Sequence, residues 1–183
     1  SYMHFFIEHN QGHHARVATP GDPASARLGE SFYRFYPRTV VGSWRNAWSL
    51  EARRLVKQGL PIWSRHNQMI WFALLPLMTA AALGLAFGPI GAVFFLVQSW
   101  LAFSLLEIIN YVEHYGLARQ EVAPGKYQKV EPYHSWNSSE VLTNYLLFHL
   151  QRHSDHHANA NRRYQTLRHF ADAPQLPTGY AGM

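Results

Sequence analysis

Six of the 12 histidines fall in two short stretches, EHNQGHH (residues 8–14) and LQRHSDHH (residues 150–157). On a helix turning by about 100° per residue, His153, His156 and His157 share one face. His9 and His13 likewise share a face, and His14 sits one step round. Adjacent histidines point about 100° apart on a helix, so one can reach a metal while its neighbour reaches a second metal or another flank of the same site. Two helices built this way suggest a two-metal centre. With no cysteine in the chain, the donors are imidazoles, which suit Zn, Fe, Cu or Ni. Zinc needs only three or four ligands, and more are on offer here. Neutral imidazoles add no charge to offset the metal, so they favour a low oxidation state; ferrous iron awaiting O2 fits that better than a hydrolytic metal.

A third element is EIINYVEHYG (residues 107–116). Glu107, Asn110 and His114 are spaced to form a polar stripe down one helix face, and polar stripes at membrane depth mark functional sites. His114 is expected to face inward as a ligand, with Glu107 and Asn110 supporting it. Carboxylates behind a metal ligand fix the imidazole tautomer and strengthen the donor. Glu8, Glu113 and Asp155 each sit beside a histidine, and a helix turns such neighbours apart, so each is expected to serve a histidine on another helix. His149, four residues before His153, is expected to support the site rather than bind metal. Lone histidines are usually surface or satisfied residues, and His4, His66, His134 and His169 are read that way.

These residues must be held by helices, and much of the chain is membrane-like. Residues 66–106 contain no Asp, Glu, Lys or Arg. A single span needs about 20 apolar residues; this run suffices for two, and GPIG (residues 88–91) supplies a turn near its middle. The expected spans are 69–87 and 90–111. Arginines precede them and Arg119, Lys126 and Lys129 follow, which makes the outer face cytoplasmic by the positive-inside rule. Residues 1–65 and 112–183 then form cytoplasmic segments of one partial catalytic domain covering 1–183. Residues 18–31 read as a loop from their Pro, Gly, Asp and Ser content. Residues 31–58 read as an interfacial helix followed by an amphipathic one along the membrane surface, and residues 118–139 as a second cytoplasmic loop. Residues 138–163 read as one helix carrying the second box. The expected fold is all-α: a multi-pass helical membrane protein, here a transmembrane hairpin with cytoplasmic histidine-bearing helices. The formal net charge of +5 suits a membrane surface or an acidic partner. No nucleic-acid-binding motif accompanies it, so nucleic acid is not an expected partner. The start, SYMHFFIEH, reads as the inside of a helix with no cap, so the chain is expected to be an internal piece of a longer one.

The two boxes, the NYVEHYGL segment and the VATPGDPASARLGES loop together resemble integral-membrane alkane 1-monooxygenases, relatives of the membrane fatty-acid desaturases. The resemblance implies a six-helix enzyme of the bacterial inner membrane with its active site on the cytoplasmic side. It implies two non-haem irons, with His9, His13, His14, His114, His153, His156 and His157 as ligands. The activity implied is hydroxylation of the terminal carbon of medium- or long-chain n-alkanes to 1-alkanols. O2 is the oxidant, and electrons come from rubredoxin, itself reduced by an NADH-dependent rubredoxin reductase. The family also carries an earlier HExxxH-type box, absent from this sequence, so the 183 residues alone are expected to be inactive. The alternatives are a membrane fatty-acid desaturase or hydroxylase, and a non-catalytic membrane metal-binding protein.

Overall fold

The computed structural model describes residues 1–183, the side chain of Ala181 excepted. The chain is mostly helical. The first box lies in a helical run formed by α1 (Phe5–Ile7), a π-helical turn (Glu8–His13) and α2 (His14–Arg16). Then come α3 (Phe32–Lys57), α4 (Gln68–Phe87), α5 (Pro89–His114), a small antiparallel hairpin of β1 (Glu121–Ala123) and β2 (Lys126–Tyr127), α6 (Val141–Leu146) and α7 (His153–Ala158). The chain divides into two compact units, one of residues 1–12 and 39–107, the other of 13–38 and 108–183.

In the first unit, α4 and α5 are long and apolar enough to cross a membrane. The 20 residues of α4 span about 30 Å at 1.5 Å each. Their apolar side chains are turned outward: Leu77, Leu85, Ile90 and Phe94 are all exposed, as lipid-facing residues must be. Asn67 caps α4 by accepting from the Met69 N–H at 2.8 Å, which satisfies a donor that has no partner within the helix. Gly88 separates α4 from α5 with φ of 73°, a conformation that glycine adopts without steric penalty. The helices are those the uncharged run predicts, with α5 extending to His114. A small core of Ile7, Ala47 and Met69, backed by Trp48, Leu50 and Phe72, joins α1, α3 and α4. Glu51 on α3 pairs with Arg54 and accepts from the Gln68 N–H at 2.8 Å, which fixes the start of α4.

Two sequence expectations are corrected here. Residues 31–58 do not form two helices, because α3 runs unbroken from Phe32 to Lys57. Pro37 falls in its second turn, where the missing N–H removes one backbone bond without ending the helix. Residues 138–163 do not form one helix. α6 stops at Leu146, and the His149 N–H closes back on the Asn144 carbonyl at 2.7 Å. Phe148 and His149 take φ of 51° and 59°, the left-handed geometry of a helix stop. Neither is glycine, so composition did not signal the stop.

In the second unit, the 18–31 loop is tied down by Arg38. Its guanidinium pairs with Glu30 and donates to the Pro23 and Ser25 carbonyls at 3.1 Å each. Arg119 holds the other flank, donating to the Ala15 and Gln128 carbonyls. Phe35 packs against Tyr111, and the Tyr111 hydroxyl donates to the Glu30 carbonyl at 2.6 Å.

Candidate metal centre

His13, His114, His153 and His157 are all buried, and each offers one nitrogen to a group whose atoms lie within 4.8 Å of one another. The Nε2 atoms of His153 and His157 are 2.9 Å apart, those of His114 and His153 3.2 Å, and those of His13 and His157 3.2 Å. Beside them, His14 and His156 bring their Nε2 atoms to 3.0 Å. The two tandem pairs therefore meet crosswise, His13 with His157 and His14 with His156. All six residues belong to the second unit. His9 belongs to the first unit, one turn earlier in the same π-helical segment, where its ring packs on Phe5 at 4.8 Å.

One carboxylate orients this group from behind. Asp22 is buried and accepts from His13 Nδ1 at 2.8 Å, from the Ser25 hydroxyl at 2.6 Å and from the Ala24 N–H at 3.2 Å. Burial alone would raise its pKa, but His13 and the Ser25 hydroxyl hold it down at about 2. An ionised Asp22 places the His13 proton on Nδ1 and leaves the Nε2 lone pair facing His157. Burial, reinforced by neighbouring histidines, lowers the pKa of His14 to about 3 and lowers those of His156 and His157 as well. His14, His156 and His157 are thus neutral at pH 7, as metal ligands must be.

A second carboxylate, Glu113, also reaches the group. Its Oε2 lies 3.1 Å from His153 Nε2, and its Oε1 accepts from the Tyr180 hydroxyl at 2.5 Å. It meets the nitrogen that points into the group, rather than an outer Nδ1.

A metal ion fits these residues. Imidazole nitrogens about 2.0–2.1 Å from a shared ion stand roughly 3 Å from one another, which is the spacing found. Lone pairs facing at that distance repel unless a proton or cation lies between them. The set is oxygen- and nitrogen-only, the donor chemistry of iron, zinc or copper.

The other expected supporting residues are placed differently. Glu8 is buried in the first unit and accepts from the Asn46 side chain. Glu107 accepts from the Thr39 hydroxyl at 2.9 Å. Asn110 is buried, and its Nδ2 has no partner among the described residues. His149 does not support His153: the break after α6 sends its Nδ1 to the Tyr164 carbonyl at 3.2 Å. Nor does Asp155 serve a histidine. It pairs with Arg162 at 2.6 Å and accepts from the Arg168 N–H and the Asn159 side chain, which fixes the exit of α7. His134 is buried and satisfied by Gln128 and the Glu131 N–H.

Asp22 and Tyr180 were not legible in the sequence. Asp22 lay in a stretch read only as loop. Its one local signal is the D-P-A-S string, which favours an Asx turn in which the Asp22 side chain accepts from the Ala24 N–H two residues on. Tyr180 is 67 residues from Glu113, and no local pattern links them.

The fatty acid desaturase family model matches residues 1–183. The chain belongs to the fatty acid desaturase family. Among its relatives, an alkane 1-monooxygenase of Pseudomonas aeruginosa is 54% identical over 182 residues, covering 100% of this chain and 48% of the relative. One from Alcanivorax borkumensis is 50% identical, covering 100% and 45%. The hydroxylase component of a xylene/toluene monooxygenase from Pseudomonas putida is 28% identical, covering 94% and 45%. The chain spans about half the length of the curated relatives it matches. This desaturase-family chain is thus homologous to membrane monooxygenases and carries histidine groups suited to metal.

Proposed function

We propose that the chain is part of a membrane alkane monooxygenase and carries most of a two-iron, histidine-ligated centre. In this reading His13, His114, His153 and His157 hold one iron, and His14 and His156 the other, with His9 added by the resemblance. The reaction is hydroxylation of the terminal carbon of a medium- or long-chain n-alkane to the 1-alkanol by O2. Rubredoxin, reduced by its NADH-dependent reductase, supplies the electrons. The protein sits in a bacterial inner membrane with the centre on the cytoplasmic side. Bound iron would supply an oxidant strong enough for an unactivated C–H bond, which no side chain provides. The chain's own residues do the rest. Asp22 fixes the His13 tautomer, burial keeps His14, His156 and His157 neutral, and the apolar faces of α4 and α5 hold the protein in the lipid where alkanes dissolve.

The observation that carries this reading is the convergence of four buried imidazole nitrogens at about 3 Å spacing in a chain half identical to alkane 1-monooxygenases. The remaining ligands, expected on an HExxxH-type box, are assigned to chain beyond these 183 residues. Full-length protein in membranes, given octane, O2, NADH, rubredoxin and its reductase, is expected to yield 1-octanol and to contain two irons. Zinc in place of iron, with no O2 consumption, would support the non-catalytic reading. The family match itself motivates the desaturase or fatty-acid hydroxylase reading, and oxidation of acyl chains but not of alkanes would favour it. The 183-residue chain alone is expected to oxidise no octane.

A further inference from the structure

The segment after residue 173 is built into the second unit rather than laid over it. The Asn137 N–H donates to the Pro174 carbonyl, and the Leu176 N–H returns to the Asn137 carbonyl, each at 2.8 Å. Asn137 in turn accepts from the Ser154 hydroxyl of α7 at 3.1 Å. Further along, the Tyr180 N–H donates to Gln151 Oε1 at 2.7 Å, and Gln151 Nε2 donates to the Thr143 hydroxyl at 2.5 Å. Gly179 has no room for a side chain: an added Cβ would lie 2.7 Å from Thr143 Oγ1 and 3.0 Å from Gln151 Oε1. These contacts fix the backbone at residue 180. The phenol then reaches inward and donates to Glu113 Oε1 at 2.5 Å, while the other carboxylate oxygen lies 3.1 Å from His153 Nε2.

We propose that Tyr180 is a positioning residue for the metal centre, holding Glu113 so that one carboxylate oxygen faces the inward nitrogen of His153. This rests on the metal-centre reading given above. A carboxylate with one oxygen bound to a phenol has a fixed plane, so its second oxygen keeps a fixed direction. Free of that bond, it would rotate about its last torsion, whose wells are broad. Burial keeps the Tyr180 hydroxyl protonated and therefore a donor. Gly179 and Gln151 fix the residue that carries this hydroxyl.

The test uses full-length, membrane-inserted protein in four forms: unaltered, Tyr180→Phe, Glu113→Gln and the double variant. Each is titrated with Co2+ alone, and the visible ligand-field spectrum is recorded. Tyr180→Phe is expected to weaken binding about tenfold, in the range found when partners of metal ligands are removed, and to shift the spectrum. In the double variant, adding Tyr180→Phe to Glu113→Gln is expected to change nothing further. Full additivity, or a Tyr180→Phe spectrum identical to the unaltered one, would overturn the proposal. If Tyr180→Phe fails to fold, 3,5-difluorotyrosine at position 180 keeps the ring while strengthening the donor. It must still shift the spectrum, and an unchanged spectrum would overturn the proposal. Unaltered protein that binds no Co2+ overturns the metal-centre reading and this inference together, whereas normal binding with an indifferent Tyr180 overturns the inference alone.

Discussion

His13 and His157 face each other through Nε2 atoms 3.2 Å apart, although 144 residues separate them. Their neighbours His14 and His156 repeat the contact at 3.0 Å. Because adjacent residues on a helix diverge by about 100°, the two contacts point into different parts of the site. Each tandem pair therefore serves both groups.

His157→Ala and His156→Ala are expected to fail in different ways. Both should cut alkane oxidation by the full-length protein at least 100-fold, but the iron left behind should differ. Mössbauer spectra of the two variants, each retaining about one iron, are the check; identical residual spectra would count against two distinct groups.

Asp22→Asn is expected to weaken metal binding about 10- to 100-fold while leaving the thermal midpoint of the apoprotein nearly unchanged. An amide that donates to Nδ1 would turn the His13 proton onto Nε2, against the metal. Ser25→Ala, which removes only the 2.6 Å bond to Asp22, should have a smaller effect. Metal titration of the three proteins ranks them.

Gly12→Ala is expected to destabilise the protein by about 1–3 kcal/mol, the usual cost of overpacking. The added Cβ would lie 2.6 Å from Glu8 Oε2 and 2.7 Å from Asn46 Nδ2. Thermal unfolding in detergent measures the loss, and Asn46→Ala in the same background should recover part of it.

Glu51 gives the protein an acid-sensitive joint. Its hydrogen bond to Arg54 pulls its pKa below the ordinary value of 4.5, against burial, and the Gln68 N–H assists. A carboxyl lowered on folding contributes fully above the unfolded value and loses that contribution as pH falls through the folded one. Stability should therefore decline below about pH 4.5, with Glu51→Gln already lower at neutral pH by roughly 1–2 kcal/mol. The stability gap between the two proteins should narrow as pH falls; a gap constant from pH 7 to pH 3 would exclude this assignment.

On the Arg-rich α3, Arg53 and Arg54 are candidate contacts for an acidic electron carrier. Arg54 is committed to Glu51, Gln58 and the His66 carbonyl, so reversing its charge would damage α4. Arg53 is exposed and is the cleaner probe. Arg53→Glu should slow carrier-supported turnover at low salt, with the difference fading as ionic strength rises.

Much of this was legible in the sequence because it depends on local spacing. The offsets within EHNQGHH and LQRHSDHH predicted shared faces, the uncharged run predicted α4 and α5, and GPIG marked their turn. What escaped depends on contacts between distant segments. Asp22 finds His13 only when the 18–31 loop folds under Arg38. Asp155 sits among histidines in sequence, yet three donors from residues 159–168 claim it first. The stop after α6 uses Phe148 and His149 in a conformation that propensity assigns to glycine, so the reading of His149 failed with the helix that was to carry it.

The π-helical turn across Glu8–His13 makes that stretch intolerant of changes in length. One residue added there would turn His13 into the direction His14 now takes, and one removed would turn His14 into that of His13. The β1–β2 turn is the opposite case: a Cβ at Gly125 would meet nothing within 4 Å. An epitope tag or fluorophore belongs there, where the chain can be lengthened without disturbing the phase of the histidines.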